Sequence, residues 1–226
     1  MAETPHPRPC VACTPAPRRR LFRTGHAYAD IAALLAAAEP KGRCLDLPAG
    51  AGVNFPGIRA AGFEPVGADL FPERAAATGV RCERVDFTQP LPFPDASFAA
   101  VLCSEGIEHC SAQQQLLSEF ARVLQPGGTL ILTTPNVLNF RSRLAFLLNG
   151  HDILTGTPTN EATSIRGGSS AQPYLDHVFL VSYFPLRVML HLAGFERLRV
   201  ATAKYSPTAV CLAPLLWLPV QLGTRW

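Results

Sequence analysis

Apolar residues fall along this chain in two alternating patterns, short solid runs and longer stretches with helical spacing. Cys44–Leu47, Pro65–Ala68, Val80–Val85, Phe98–Cys103 and Thr129–Thr133 are the short runs. Each is bounded by glycine, proline or a charged residue, as expected of strands buried on both faces. Between them lie helical stretches. Tyr28–Ala38 is dense in alanine and leucine, with Ile31, Leu34 and Leu35 on one side. Phe55–Ala61 closes at Gly62, a helix starts at Pro72, where proline suits a first turn, and Ser111–Leu124 is amphipathic. The pattern predicts an α/β fold with a parallel sheet covered on both faces and ligands at the strand tips.

Beyond residue 135 the pattern weakens. Leu144–Leu148 predicts a short apolar helix, and residues 151–173, rich in Thr, Ser and Gly, a long loop. A loop of that length inside a compact domain is a lid or substrate-binding element. Pro185–Leu192 then predicts a helix ending at Ala193-Gly194, and Phe195–Ala201 a late strand. Residues 1–20 are expected to be a flexible arm, carrying Pro5, Pro7, Pro9, Pro15 and Pro17. Residues 21–226 are then one domain, with a lid region at 136–182 and an apolar tail at 209–226.

Composition narrows the classes. Of 226 residues, 48% are hydrophobic and 16% charged, and the net charge is only +3. Arginines are scattered apart from Arg18-Arg19-Arg20, so no stripe suited to nucleic acid is present, and nucleic acid is not the expected partner. Seven cysteines, an odd count, follow a polar, proline-rich start, which predicts reduced thiols in a cytoplasm. Cys10-Val11-Ala12-Cys13 has no second pair at zinc-site spacing. The apolar run Ala209–Leu222 is broken by Pro214 and Pro219. It is shorter than the about 20 residues of a membrane span, leaving core packing, an interface or peripheral membrane contact. The chain is expected to be a monomer or homodimer.

The chemistry concentrates at Cys44-Leu45-Asp46-Leu47-Pro48-Ala49-Gly50-Ala51-Gly52. A strand runs into a turn whose glycines let backbone approach a ligand closely. Asp69 stands 23 residues after Asp46, at the tip of the next strand. There a doubly wound nucleotide-binding fold keeps the acid that accepts from ribose hydroxyls, roughly 20 residues past the glycine turn. The stretch reads as a nucleoside-binding loop. A nicotinamide-dinucleotide fingerprint fits worse, since Pro48-x-Gly50-x-Gly52 has no glycine three positions later.

Glu105, Glu108 and His109 form a second constellation. On a helix beginning after Ser104 they sit at i, i+3 and i+4, on one face. That set suits a divalent cation such as Mg; the plainer reading is Ser104 capping a helix with acids in its first turn. His109 is also the candidate general base, since an unperturbed imidazole titrates at about 6.5, with His177 a second candidate.

Taken in order, the motifs resemble those of the class I S-adenosylmethionine-dependent methyltransferases, in particular the small-molecule branch that includes the ubiquinone and menaquinone biosynthesis enzymes. The landmarks are Leu45–Gly52, Gly67-Ala68-Asp69, Asp86-Phe87, Leu91–Phe98, Glu108-His109 and Arg122–Gly128, and the resemblance covers about residues 26–200. It implies a Rossmann-like doubly wound, mostly parallel seven-stranded sheet with helices on both faces. S-adenosylmethionine is the implied cofactor. Asp46, Pro48, Gly50 and Gly52 would surround its methionine part, and Asp69 would bind the ribose. Leu70 would pack on the adenine, Asp86 and Phe87 would meet the adenine amino group, and Cys103 and Ser104 would line the donor pocket. Similar Glu-x-x-Glu-His patterns bind metal in some members. Pro48 departs from the family's usual first glycine, removing an N–H and fixing φ. The implied reaction is methyl transfer to a small-molecule, lipid-like, quinone-like or glycan-precursor acceptor, with O-methylation leading. The alternative is a catalytically silent methyltransferase-like scaffold.

Overall fold

The structure is a computed structural model that describes residues 27–153 and 177–200. In chain order these form helix α1 (Ala27–Ala37), strand β1 (Arg43–Asp46), helix α2 (Phe55–Ala60) and strand β2 (Glu64–Asp69). A 3-10 segment (Pro72–Thr78), β3 (Cys82–Arg84) and β4 (Phe98–Ser104) follow. A 3-10 turn (Ile107–His109), α3 (Gln113–Val123), β5 (Leu124–Thr133), α4 (Phe140–Asn149) and α5 (Tyr183–Leu192) complete the described elements.

Among the described residues the five strands form one all-parallel sheet in the order β3-β2-β1-β4-β5. β1 pairs with β2 on one side and β4 on the other, aligning Asp46 with Gly67 and with Leu102. The order reverses between β1 and β4, and at such a switch point the crossovers diverge and leave a crevice beyond the carboxyl ends.

Strand alternation assigns side chains to two cores. Leu45, Leu47, Val101 and Cys103 face one cluster with Leu116, Leu117 and Phe120 of α3, against which Leu186 and Met189 of α5 pack. Cys44, Ala100, Leu102 and Ile131 face the other, with Ile31 and Leu35 of α1 and Phe55 and Ile58 of α2. β4 is apolar and buried from Phe98 to Cys103 because it lies between both layers. Lys41 ties α1 to the sheet, its Nζ donating to the carbonyls of Leu35, Ala36 and Ala38 at 2.8–3.2 Å.

Several elements differ from expectation. Residues 195–200 form no strand: Phe195 donates its N–H to Leu190 O, closing α5, and its ring joins the core. The sheet thus shows five strands among the described residues where seven are implied. The Pro72 segment is 3-10 rather than α-helical and ends at Gly79, whose φ is 66°. α4 is longer than its apolar stretch, because Asn139 caps it by accepting from Ser142 N at 2.9 Å. Of the expected lid region 136–182, the described parts hold this helix and residues 177–182. The expected arm, 1–20, and tail, 209–226, lie outside the described residues.

Candidate functional site

At the switch point, the turn after β1 and the tip of β2 are locked together by one carboxylate. Asp69 Oδ2 accepts from Gly50 N and Oδ1 from Phe71 N, each at 2.8 Å. Ala49 N also donates to Ala68 O at 2.9 Å. Gly50 has a φ of 54°, and a Cβ placed there would meet nothing within 4 Å, so its free side faces open space. Gly52 is glycine for a different reason: with φ at 74°, a Cβ would lie 2.6 Å from the Phe55 ring and 2.8 Å from Thr78 Cγ2.

Asp46 lies beneath this turn, fully buried. Asn54 Nδ2 donates to its Oδ1 at 3.3 Å, and Oδ2 has no hydrogen-bond partner. Burial pushes its carboxyl up to about 7; the Asn54 hydrogen bond opposes this and nearby Asp69 adds to it.

The crevice is a cavity of about 350 Å3. That lies within the roughly 300–1,000 Å3 usual for small-molecule sites. Pro48, Gly50, Asp69, Leu70, Asp86, Phe87 and Ser104 line it, as does His109. Asp46, Gly52 and Cys103 are not among its lining residues. Asn54, Phe71 and Arg74 line the cavity without having been singled out in the sequence. Asn54 had a faint signal, a polar residue two positions past the turn. Asp86 Oδ1 accepts from Thr88 N and Thr88 Oγ1, so this acid also organises its own loop.

The expected helix after Ser104 is absent. Glu105 takes a left-handed φ of 50°, and only the 3-10 turn Ile107–His109 follows. The carboxylate of Glu105 accepts from Thr133 Oγ1 at 2.8 Å, so Glu105, Glu108 and His109 do not share one helical face. The structure brings Glu108 and His109 together with His177, their ligand-type atoms all within 4.8 Å of one another. Glu108 is fully buried and neither carboxylate oxygen has a hydrogen-bond partner. His177 Nε2 stands 3.9 Å from Glu108 Oε1. Burial raises the Glu108 carboxyl and neighbouring Glu105 adds to the rise; its own backbone N–H and the Thr134 hydroxyl, nearby but outside hydrogen-bonding geometry, oppose it, as does His177. The segment carrying His177 is stitched down by Phe179 N to Glu108 O at 2.9 Å and by Gln113 Nε2 to Phe179 O at 2.6 Å.

Comparison with known proteins agrees with the fold. A demethylmenaquinone methyltransferase of Clavibacter sepedonicus is 38% identical over 106 residues, covering 42% of this chain and 43% of that protein. The mitochondrial 2-methoxy-6-polyprenyl-1,4-benzoquinol methylase of Drosophila melanogaster is 55% identical over 126 residues, covering 54% of this chain and 40% of the other. The chain spans less than half the length of these curated relatives. The crystal structure of a SAM-dependent methyltransferase from Archaeoglobus fulgidus shares the fold, with a TM-score of 0.54, 15% identity, and 88% of this chain and 86% of that one covered. Residues 18–200 match the methyltransferase domain family, and the chain belongs to that family.

Proposed function

We propose that this chain is an S-adenosylmethionine-dependent methyltransferase acting on a small molecule of the quinol or phenol type, by transfer to oxygen. The observation that carries the reading is the Asp69 clamp on Gly50 and Phe71 at the switch point of the sheet.

The residues present fit the cofactor. Gly50 opens onto the cavity, Asp69 is placed for a ribose, and Leu70 and Phe71 supply apolar surface for a base. The unpartnered Asp46 Oδ2 is a carboxylate oxygen lacking a donor, behind Asn54, which a cationic ligand group would favour. When bound, the cofactor supplies an electrophilic methyl on a positively charged sulfur. The chain's part is to hold the acceptor oxygen in line with that methyl and keep water out. His109, at the cavity wall, is the candidate base that takes the acceptor's proton.

A divalent cation fits Glu108, His109 and His177 better than the set read from sequence. The donor atoms converge, and the two unpartnered oxygens of Glu108 are the kind of group a cation would satisfy. A cation there would take His109 as a ligand in place of its role as base, and would itself lower the pKa of a bound acceptor hydroxyl. The quinol-type acceptor is supported by the names of the two relatives above.

Titration calorimetry with S-adenosylmethionine and S-adenosylhomocysteine, with and without magnesium, tests the reading. Micromolar binding of both is expected. Glu108→Gln should abolish any magnesium-dependent part while leaving magnesium-free cofactor binding in place. Binding of neither compound would overturn the enzyme reading in favour of a scaffold.

A further inference from the structure

We infer that Glu105 is a specificity-determining residue that reads the charge of the methyl donor, favouring the cationic sulfonium over the neutral thioether left after transfer. The inference rests on the cofactor reading given above. Glu105 lines the cavity with Ser104 and His109 and follows β4, across β1 from β2 and β3, whose carboxyl ends carry Asp69 and lead to Asp86. With Asp69 taking the ribose on the β2 side, the sulfur-bearing part of the cofactor would be held on the β4 side, by Ser104, Glu105 and His109.

Three features single this carboxylate out. Its backbone has a φ of 50°, a region that non-glycine residues rarely occupy and that recurs where the surrounding structure enforces it at functional sites. Thr133, at the tip of β5, enforces it here. The Glu105 N–H donates to Thr133 O at 3.2 Å and to Thr133 Oγ1 at 3.1 Å, and that hydroxyl donates onward to Glu105 Oε1 at 2.8 Å. The other acids of the lining are engaged differently. Both oxygens of Asp69 hold backbone N–H groups, and Asp86 Oδ1 holds Thr88. On the β4 side of the cavity Glu105 is the lining carboxylate, Thr133 engages its Oε1 and leaves Oε2 for a ligand cation, and Thr133 fixes where it stands. After transfer the sulfur is neutral and this attraction disappears, which favours product release.

The test compares dissociation constants for S-adenosylmethionine and S-adenosylhomocysteine in the parent, Glu105→Gln, Thr133→Val and Thr133→Ser. Glu105→Gln keeps the shape and removes the charge. It should weaken S-adenosylmethionine about threefold, the scale of a solvent-exposed charge pair, and leave S-adenosylhomocysteine unchanged. The parent's preference should shrink in high salt. Thr133→Val should lose part of the discrimination and Thr133→Ser should restore it, which a merely structural defect would not do. Equal weakening of both ligands by Glu105→Gln, or no change in either, would overturn the inference. A parent that binds neither ligand would instead overturn the cofactor reading, and the inference with it.

Discussion

The ring of Pro48 occupies the space that a side chain on residue 106 would need. A Cβ on Gly106 would lie 2.3 Å from Pro48 Cδ and 3.0 Å from Cys103 Sγ. The residue that departs from the family's usual glycine is thus matched by a glycine in the loop after β4, and the two loops on either side of the switch point interlock. Gly106→Ala should destabilise the fold by about 1–3 kcal/mol, as overpacking does. Pro48→Ala removes the obstructing ring atoms, so the double variant should recover about 1 kcal/mol or more relative to the sum of the single changes. Denaturant unfolding of the four proteins measures this. Strict additivity would show that the two residues do not press on each other.

Asp69 carries two duties at once, holding backbone and facing the cavity. Asp69→Asn leaves one N–H, on Gly50 or Phe71, opposite an amide NH2 that cannot accept. Loss of one such bond to a charged acceptor costs about 1–3 kcal/mol of stability. Affinity for S-adenosylmethionine should fall by about tenfold or more, since one well-made hydrogen bond is worth about 1.4 kcal/mol or more. Calorimetry and thermal unfolding on the same variant separate the two effects. Unchanged affinity would remove Asp69 from the ribose site.

How much of this was legible in the sequence depended on how local each cause is. The five strands and the Asp46–Gly52 turn could be read because a strand buried on both faces is a solid apolar run and a tight turn needs glycine. Asp46, Gly52 and Cys103 fall within the sequence patterns but not on the cavity lining, since strand alternation and burial decide which side chain faces the cavity. Glu105, Glu108 and His109 have the spacing of one helical face, and spacing alone cannot show that Glu105 is left-handed. The entry of His177 into the cluster rests on one backbone bond from Phe179 N to Glu108 O, about 70 residues apart, and no local pattern carries a contact that long. Arg74 lies in, and Phe71 just ahead of, a 3-10 segment whose proline reads equally well as an α-helix start, and both line the cavity.

Arg122 fastens the loop that leads into β4. Its guanidinium donates to the carbonyls of Leu91 and Phe93, to Asp95, and by two bonds to Glu119, which itself accepts from Leu91 N at 2.7 Å. Arg122→Lys keeps the charge and cannot span these partners, because an ammonium lacks the planar fork. We expect about 1–2 kcal/mol of lost stability, discounted because the side chain is 30% exposed. Hydrogen bonding from Arg122 holds the Glu119 carboxyl below its ordinary range. Its contribution is therefore present above the unfolded-state value and lost as pH falls through the depressed one. A lysine variant within about 0.5 kcal/mol of the parent would count against the fork.

Asp46 should make stability depend on pH in the opposite direction. Its carboxyl is raised from an ordinary 3.8 to about 7, chiefly by burial. Between those values the folded chain holds a proton that the unfolded chain has released, so the native state binds more protons. Stability of the ligand-free protein should then fall as pH rises from about 4 to about 7 and level off above. The whole effect from this residue is at most about 4 kcal/mol, three pKa units at 1.36 kcal/mol each. Glu108 is raised by burial too and slopes the same way, so the parent curve mixes both groups. Asp46→Asn isolates one of them. Asparagine can still accept from Asn54 and has no charge to desolvate, so the variant should be the flatter of the two across this window. Relative to the parent, it should gain stability as pH rises from about 4.5 to 7.5. Urea midpoints at four pH values, parent and variant side by side, measure the difference. Parallel curves would mean that Asp46 is ionised in the folded protein throughout, and that its buried oxygen has found a cation or donor at neutral pH.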